Sequence, residues 1–149
     1  MASIRSRIGE NMEDRYLFKA NFDDSDRWVK GQLVEVNDTY LIIPNHASKI
    51  LADCFSASNV VEVKKDTICQ CTGLKDKNGN LIWENDIVGY YDKYVWKWCY
   101  GLVGYGEFNC SCCSGVYGWH FGDEDIREYQ GYEVKGNKFD NPELLESEE

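Results

Sequence analysis

"KDKNGNLIWENDIVGYYD", residues 75–92, decides the fold class. Its Asn78-Gly79 pair is a strong signal for a two-residue β-hairpin, in which both central residues take positive φ. Short strand-like runs separated by turn residues extend in both directions from this stretch. Upstream lie "YLFKA" (16–20), the polar turn "NFDDSD", "RWVKGQLVEV" (27–36) and the turn "NDTY". "YLIIP" follows, stopped by Pro44, and then "VVEVK" (60–64) and "TICQCTGL" (67–74). Downstream come "YVWKWCY" (94–100), "GLVGYGEF", "GVYGWHF" (115–121), the charged loop "DEDIREY" and a last strand "YEVKGN" (132–137). Only "NHASKILADCFSAS" (45–58) has helix-like spacing, with Ile50, Leu51, Cys54 and Phe55 after a cap at Asn45; it reads equally as an irregular crossing. "DNPELLE" predicts a terminal helical turn, with Asn141 as cap, Pro142 at the first position and Glu143 near the positive end. Many short strands with turn signals roughly every 8–12 residues predict a mainly-β chain with little helix, built as a small β-barrel or sandwich. The hydrophobic pattern restarts near Lys65, which places a boundary there.

The 149 residues suffice for one domain with a real core or two very small ones. The formal net charge of −10 is uneven, because residues 123–149 carry ten acidic and three basic residues. A body near neutrality with an acidic tail is a poor match for phosphate backbones, which argues against nucleic-acid binding. No apolar run approaches the roughly 18–20 residues of a membrane span. The start, "MASIRSRIGENMED", lacks the apolar stretch of a secretory signal, so a cytoplasmic location is expected. There the seven cysteines would be reduced thiols.

Read with a period of two, "YVWKWCY" puts Tyr94, Trp96, Trp98 and Tyr100 on one side of a strand. Each such ring buries roughly 150–250 Å² when enclosed, and four in line exceed what a small barrel can hold. One reading places Trp96 and Trp98 in the core with the tyrosines at its rim. The other makes the four an exposed face that pairs with another subunit or stacks a planar ligand.

Catalytic and metal chemistry find little support. Cys69-x-Cys71, Cys110-x-Cys112-Cys113 and His120 could form a zinc site, but structural sites prefer two to four residues between paired cysteines. An EF-hand reading of "DKNGN" fails because Leu81 stands where glycine is needed and Ile87 where glutamate is needed. His46 and His120 are the only histidines available as bases, and neither is spaced for a nucleophile, Cys113 included. Asp123, Glu124 and Asp125 read as a solvated charge run, and Asp86 as a brace for a turn. No enzyme, no metal and no cofactor is expected.

"TGLKDKNGNLIWENDIV" (72–88) resembles the signature of the YopX family of phage and prophage proteins. "YLFKA" resembles that family's opening strand, "DRWVKGQL" its Trp-x-x-Gly strand, and "YEVKGNKFDNPELLE" its closing motif. These matches cover residues 15–37, 66–90 and 129–146, with a divergent middle. Asn85 stands where the family has glycine, and Cys69 and Cys71 fall at ordinary strand positions. The opening aligns best from Met12. The resemblance implies an SH3-like C-terminal part and self-association, with no active site to carry across. The expected organisation is a mobile segment over 1–11, a β subdomain over 12–65, and an SH3-like part with an acidic tail over 66–149. The expected role is that of a non-enzymatic, homo-oligomeric binding module in a bacterial host cell. It would occupy a host protein or a small planar signalling ligand, with Tyr94, Trp96, Trp98 and Tyr100 as binding or interface residues. The alternatives are an acidic DNA mimic that inhibits a nuclease, and a zinc protein built on the cysteines.

Overall fold

The computed structural model describes residues 16–22, 27–44, 60–110, 113–122, 124–125 and 131–146. The expected N-terminal segment, the helix-like stretch 45–58 and most of the loop 123–129 lie outside the described residues. The chain divides into two compact units, Met1–Cys71 and Thr72–Glu149.

The first unit is built from β1 (Phe18–Asn21), β2 (Trp28–Val36), β3 (Thr39–Pro44), β4 (Val61–Glu62) and the start of β5 (Cys69–Lys75). They lie side by side in the order β4-β3-β2-β1-β5, all antiparallel where paired. Asn37 and Asp38 both take positive φ, so β2 and β3 are joined by the tight two-residue turn that matches strand twist. Gly31 of the Trp-x-x-Gly motif has a steric reason. A Cβ there would lie 1.9 Å from the Ile43 carbonyl oxygen on β3. The core gathers Ala20, Ile42 and Val63, with Phe18, Phe22, Val29 and Leu33 packed around them. Thr67 closes the unit by accepting the Asn21 N–H at 2.9 Å and donating to the Lys64 carbonyl at 2.8 Å.

The second unit continues β5 into β6 (Leu81–Trp83), then β7 (Asp86–Asp92), β8 (Lys97–Cys110), β9 (Cys113–Phe121), β10 (Glu124–Asp125), β11 (Glu133–Asn137) and the single-turn helix α1 (Glu143–Glu146). β6 is the other neighbour of β5, and the remaining strands form a five-stranded sheet in the order β10-β9-β8-β7-β11. The mainly-β expectation holds, but the sheets are not closed into a barrel: β10 and β11 end the five-stranded sheet on opposite edges. Ile82, Val88, Val103, Phe121 and Tyr132 form the core, joined by Leu74, Tyr90, Trp119 and Val134. Phe121 lies across Gly101, where a Cβ would come within 2.7 Å of its ring.

The Asn78-Gly79 turn differs from the expected two-residue form. Gly79 is at φ 84 while Asn78 is not positive. The Gly79 N–H bonds the Asp76 carbonyl at 3.0 Å, and the Asp76 N–H bonds the Asn80 carbonyl at 2.9 Å. This is a three-residue loop, a type I turn followed by a left-handed glycine. The cause is Asp76, whose Oδ1 accepts the N–H groups of both Asn78 and Asn80 at 2.9 Å. Its Oδ2 accepts the Asn80 side-chain amide at 3.2 Å and the Val134 N–H at 3.0 Å, tying the turn to β11. Burial of Asp76 works against its charge, yet these donors outweigh it and hold the carboxyl below its ordinary value. Both oxygens are thereby occupied, a second reason why the calcium reading fails. No helix of the described residues is long and apolar enough to cross a membrane.

Candidate functional site

β7 and β8 form a hairpin whose last pair is Asp92 with Lys97, leaving residues 93–96 as a four-residue tip. Asp92 Oδ1 accepts the N–H groups of Tyr94 (2.8 Å) and Val95 (3.3 Å), the side-chain bonding that initiates a turn. That turn breaks the expected four-residue ladder. Tyr94 and Trp96 lie in the tip, 96% and 78% exposed, and only Trp98 and Tyr100 stand together on a strand face. Trp98, 38% exposed, and the half-buried Tyr100 are not part of the core cluster either. The core reading of Trp96 and Trp98 is therefore corrected, because the hairpin carries them beyond the residues that close around Val88 and Val103.

Trp96 takes φ 55, a left-handed conformation that is a genuine outlier for a bulky residue. The hairpin holds it there, with its indole turned out to solvent.

Trp98 is the centre of a platform. Tyr100 stacks on it with centroids 6.5 Å apart and planes inclined by 21°. Tyr91, paired directly opposite on β7, meets it edge to face at 5.8 Å and 67°. From β11, Lys135 Nζ stands 4.1 Å from the Trp98 ring centroid, a cation–π contact. Gly89 makes this approach possible. A Cβ there would lie 3.1 Å from the Tyr100 ring and equally close to Lys135 Cγ.

Lys135 is oriented from behind by Glu133, which accepts a hydrogen bond from its ammonium. Glu133 also accepts from the Asn78 side chain at 3.1 Å and lies 3.5 Å from Lys77 Nζ. The Lys135 hydrogen bond, set against some desolvation and helped by Asn78 and Lys77, holds the Glu133 carboxyl below its usual range. An open cleft of about 350 Å³ flanks the tip, lined by Tyr90, Tyr91, Asp92, Lys93 and Tyr94.

Of the four expected site residues, two share the platform and two occupy the tip. Tyr91 and Lys135 were missed. Tyr91 was within reach, since an Asp92-initiated turn puts it opposite Trp98; Lys135 arrives from a strand 37 positions further along and carries no local signal.

Cys69 and Cys71 are buried, and Cys69 Sγ donates to the Thr67 carbonyl at 3.3 Å. Among the described residues no three of His, Cys, Asp and Glu are grouped to hold a metal ion; Cys112 and the side chains of Cys110 and Cys113 lie outside them. His120 donates from Nδ1 to the Gly122 carbonyl at 2.8 Å and packs against Phe108. Asp86 braces its turn by accepting the Trp83 N–H at 2.9 Å, and Asn85 takes φ 66 where the family has glycine.

Protein EF1440 from Enterococcus faecalis, known from its crystal structure, is similar to this chain. It shares 27% identity and a TM-score of 0.50 over 86% of this chain and 96% of its own. No curated protein matches the chain. The family profile described as YopX protein matches residues 18–146. With nearly all of its length inside that match, and with the turn and strand motifs accounted for above, the chain belongs to the YopX family.

Proposed function

We propose that this protein works by binding, as a homo-oligomeric, non-catalytic accessory protein of a phage or prophage in the cytoplasm of a bacterial cell. Its second unit serves as an SH3-like recognition module. The observation that carries the reading is the Trp98 platform, where three aromatic rings and one lysine converge on a solvent-facing surface. The aromatic faces suit a flat, electron-poor ring or an apolar partner surface, and Lys135 adds a positive charge at its edge. Such a surface would let the protein occupy a host factor or retain a small planar signalling molecule.

Native mass spectrometry of the gently purified protein tests this. The expected spectrum shows an oligomer whose subunits carry an extra small mass or a co-purified host protein, lost in the Trp98→Ala variant. A bare monomer from wild-type protein would refute the oligomeric reading, and an adduct unaffected by Trp98→Ala would remove the platform from it. A zinc mass would instead favour the cysteine-based alternative.

A further inference from the structure

β8 serves two hairpins in succession. Lys97–Leu102 pairs with β7, and Val103–Cys110 pairs with β9, which makes the β8–β9 portion an arm of its own. On that arm Tyr105 is paired with Trp119 and Glu107 with Tyr117, so these four side chains share one face. Tyr105 and Tyr117 are 61% and 68% exposed, and Tyr105 meets Trp119 edge to face at 5.1 Å. Glu107 stands next to Tyr105 along β8 and opposite Tyr117, with no cationic partner among the described residues. The face is thus aromatic, with the Glu107 carboxylate among its rings.

The β7–β8 tip has the opposite character. Lys93 and Lys97 flank Tyr94, Val95 and Trp96, and all five are exposed. Neither lysine has an acidic partner among the described residues. Asp92, the nearby carboxylate, directs Oδ1 to two backbone N–H groups.

These two surfaces cannot meet within one chain. They lie ten residues apart on one strand, about 34 Å when extended. We propose that the lysine-bearing tip docks on the Tyr105–Glu107–Tyr117–Trp119 face of a second copy of this chain. Lys93 or Lys97 would pair with Glu107 and lie over the Tyr105 and Trp119 rings, while Tyr94 and Trp96 cover the remaining aromatic surface. Scaled by what is still exposed, the five rings at about 150–250 Å² each when fully enclosed supply roughly 500–800 Å², and Val95 with the lysine stems extends the contact toward the scale of a specific interface. The contact joins two different patches, so it is satisfied reciprocally in a twofold dimer or head-to-tail in a ring or filament. The left-handed Trp96 gains a purpose here, since it projects the indole beyond the end of the sheet. This inference rests on the oligomeric reading above and names its interface.

The test is charge reversal in the full chain, read by sedimentation velocity. Glu107→Lys alone, and Lys93→Glu with Lys97→Glu, should each weaken self-association at least tenfold. Mixing the two variants should restore assembly, because each acidic tip then meets a basic arm and each basic tip an acidic one. All three positions are exposed, and far-UV circular dichroism checks that the variants fold. Should a variant misfold, the salt dependence of wild-type protein decides: assembly unchanged from about 0.05 to 0.5 M salt overturns the proposal. An oligomer that neither charge reversal perturbs, or a mixture that fails to recover, refutes this interface and leaves the oligomeric reading standing. A wild-type monomer refutes both.

Discussion

Replacing Asp76 by alanine should cost the second unit about 2–4 kcal/mol at neutral pH. Four donors converge on this carboxylate, and they are not equivalent. Asn78 and Asn80 are exposed, so water can replace much of what their N–H groups lose. The Val134 N–H, 58 residues away on β11, is less accessible, and leaving such a donor unpaired costs about 1–3 kcal/mol. The two turn amides add about 1 kcal/mol, as in the loss of a helix cap. Asp76→Asn should fall between wild type and alanine, because one oxygen can still serve the turn while the amide nitrogen faces a second donor. The carboxyl is held below its ordinary value of 3.8, so the charged form is favoured by folding. Its contribution is fully present above 3.8 and is lost as pH falls below it through the folded value. Urea unfolding of wild type and Asp76→Ala across pH 2–7, with hydrogen exchange at the Val134 amide, measures both effects. The difference should be constant above pH 5 and shrink in acid. A cost below about 1 kcal/mol, or one that does not shrink in acid, would refute the account of this carboxylate.

Gly31→Ala should destabilise the first unit by about 3 kcal/mol, because the added carbon meets β3 backbone, while Gly104→Ala, whose nearest neighbour is the His120 ring at 3.7 Å, should cost under about 1 kcal/mol; thermal melts of both variants check the contrast. Trp96→Gly should be about 1 kcal/mol more stable than Trp96→Ala, since only glycine takes φ 55 without strain, although both remove the indole. Lys135→Met should shift Trp98 fluorescence while leaving the melting temperature nearly unchanged, because it removes a surface cation from an already assembled ring cluster. Dialysis against a chelator should leave the melting curve unchanged, given Cys69 and Cys71 buried as strand residues, and a large drop would restore the zinc reading.

Much of the β architecture is legible because it depends on short-range rules. The turn at Asn37-Asp38, the strand stop at Pro44, the brace at Asp86 and the positive φ of Asn85 all follow from residue chemistry within a few positions. The errors share a different cause. The period-two reading of residues 94–100 assumed an uninterrupted strand, but Asp92 bonds two N–H groups ahead of it and turns the chain before Lys97. The Asn78-Gly79 pair was read by itself, while Asp76 selects the longer loop from two residues upstream. In both cases one aspartate's side chain overrode a pattern that looked only at hydrophobicity or at a dipeptide. Lys135 depends on strand order, and no local rule supplies that.

The residues that identify the family are those that hold turns and close approaches. Gly31 admits the β3 carbonyl, Asp76 clamps its loop to β11, and Asp86 and Asn85 shape the β6–β7 turn. At the end of the chain a Cβ on Gly136 would lie 2.2 Å from the Asn141 side chain, and Asn137 Oδ1 accepts the N–H groups of Phe139 and Asp140 at 2.9 and 3.0 Å. Each of these positions fixes backbone geometry. Of the rings on view to solvent among the described residues, Tyr91, Tyr94, Trp96 and Trp98 on one hairpin and Tyr105 and Tyr117 on the other fall in the stretch between the motifs, while Tyr16 lies in the opening strand motif. The motifs thus set most of the frame, while the two hairpins of β8, with Lys135 from the closing motif beside Trp98, carry most of the exposed aromatic surface. Two members could share every motif and bind different partners, so function here has to be tested on these hairpins and cannot be inherited from the signature.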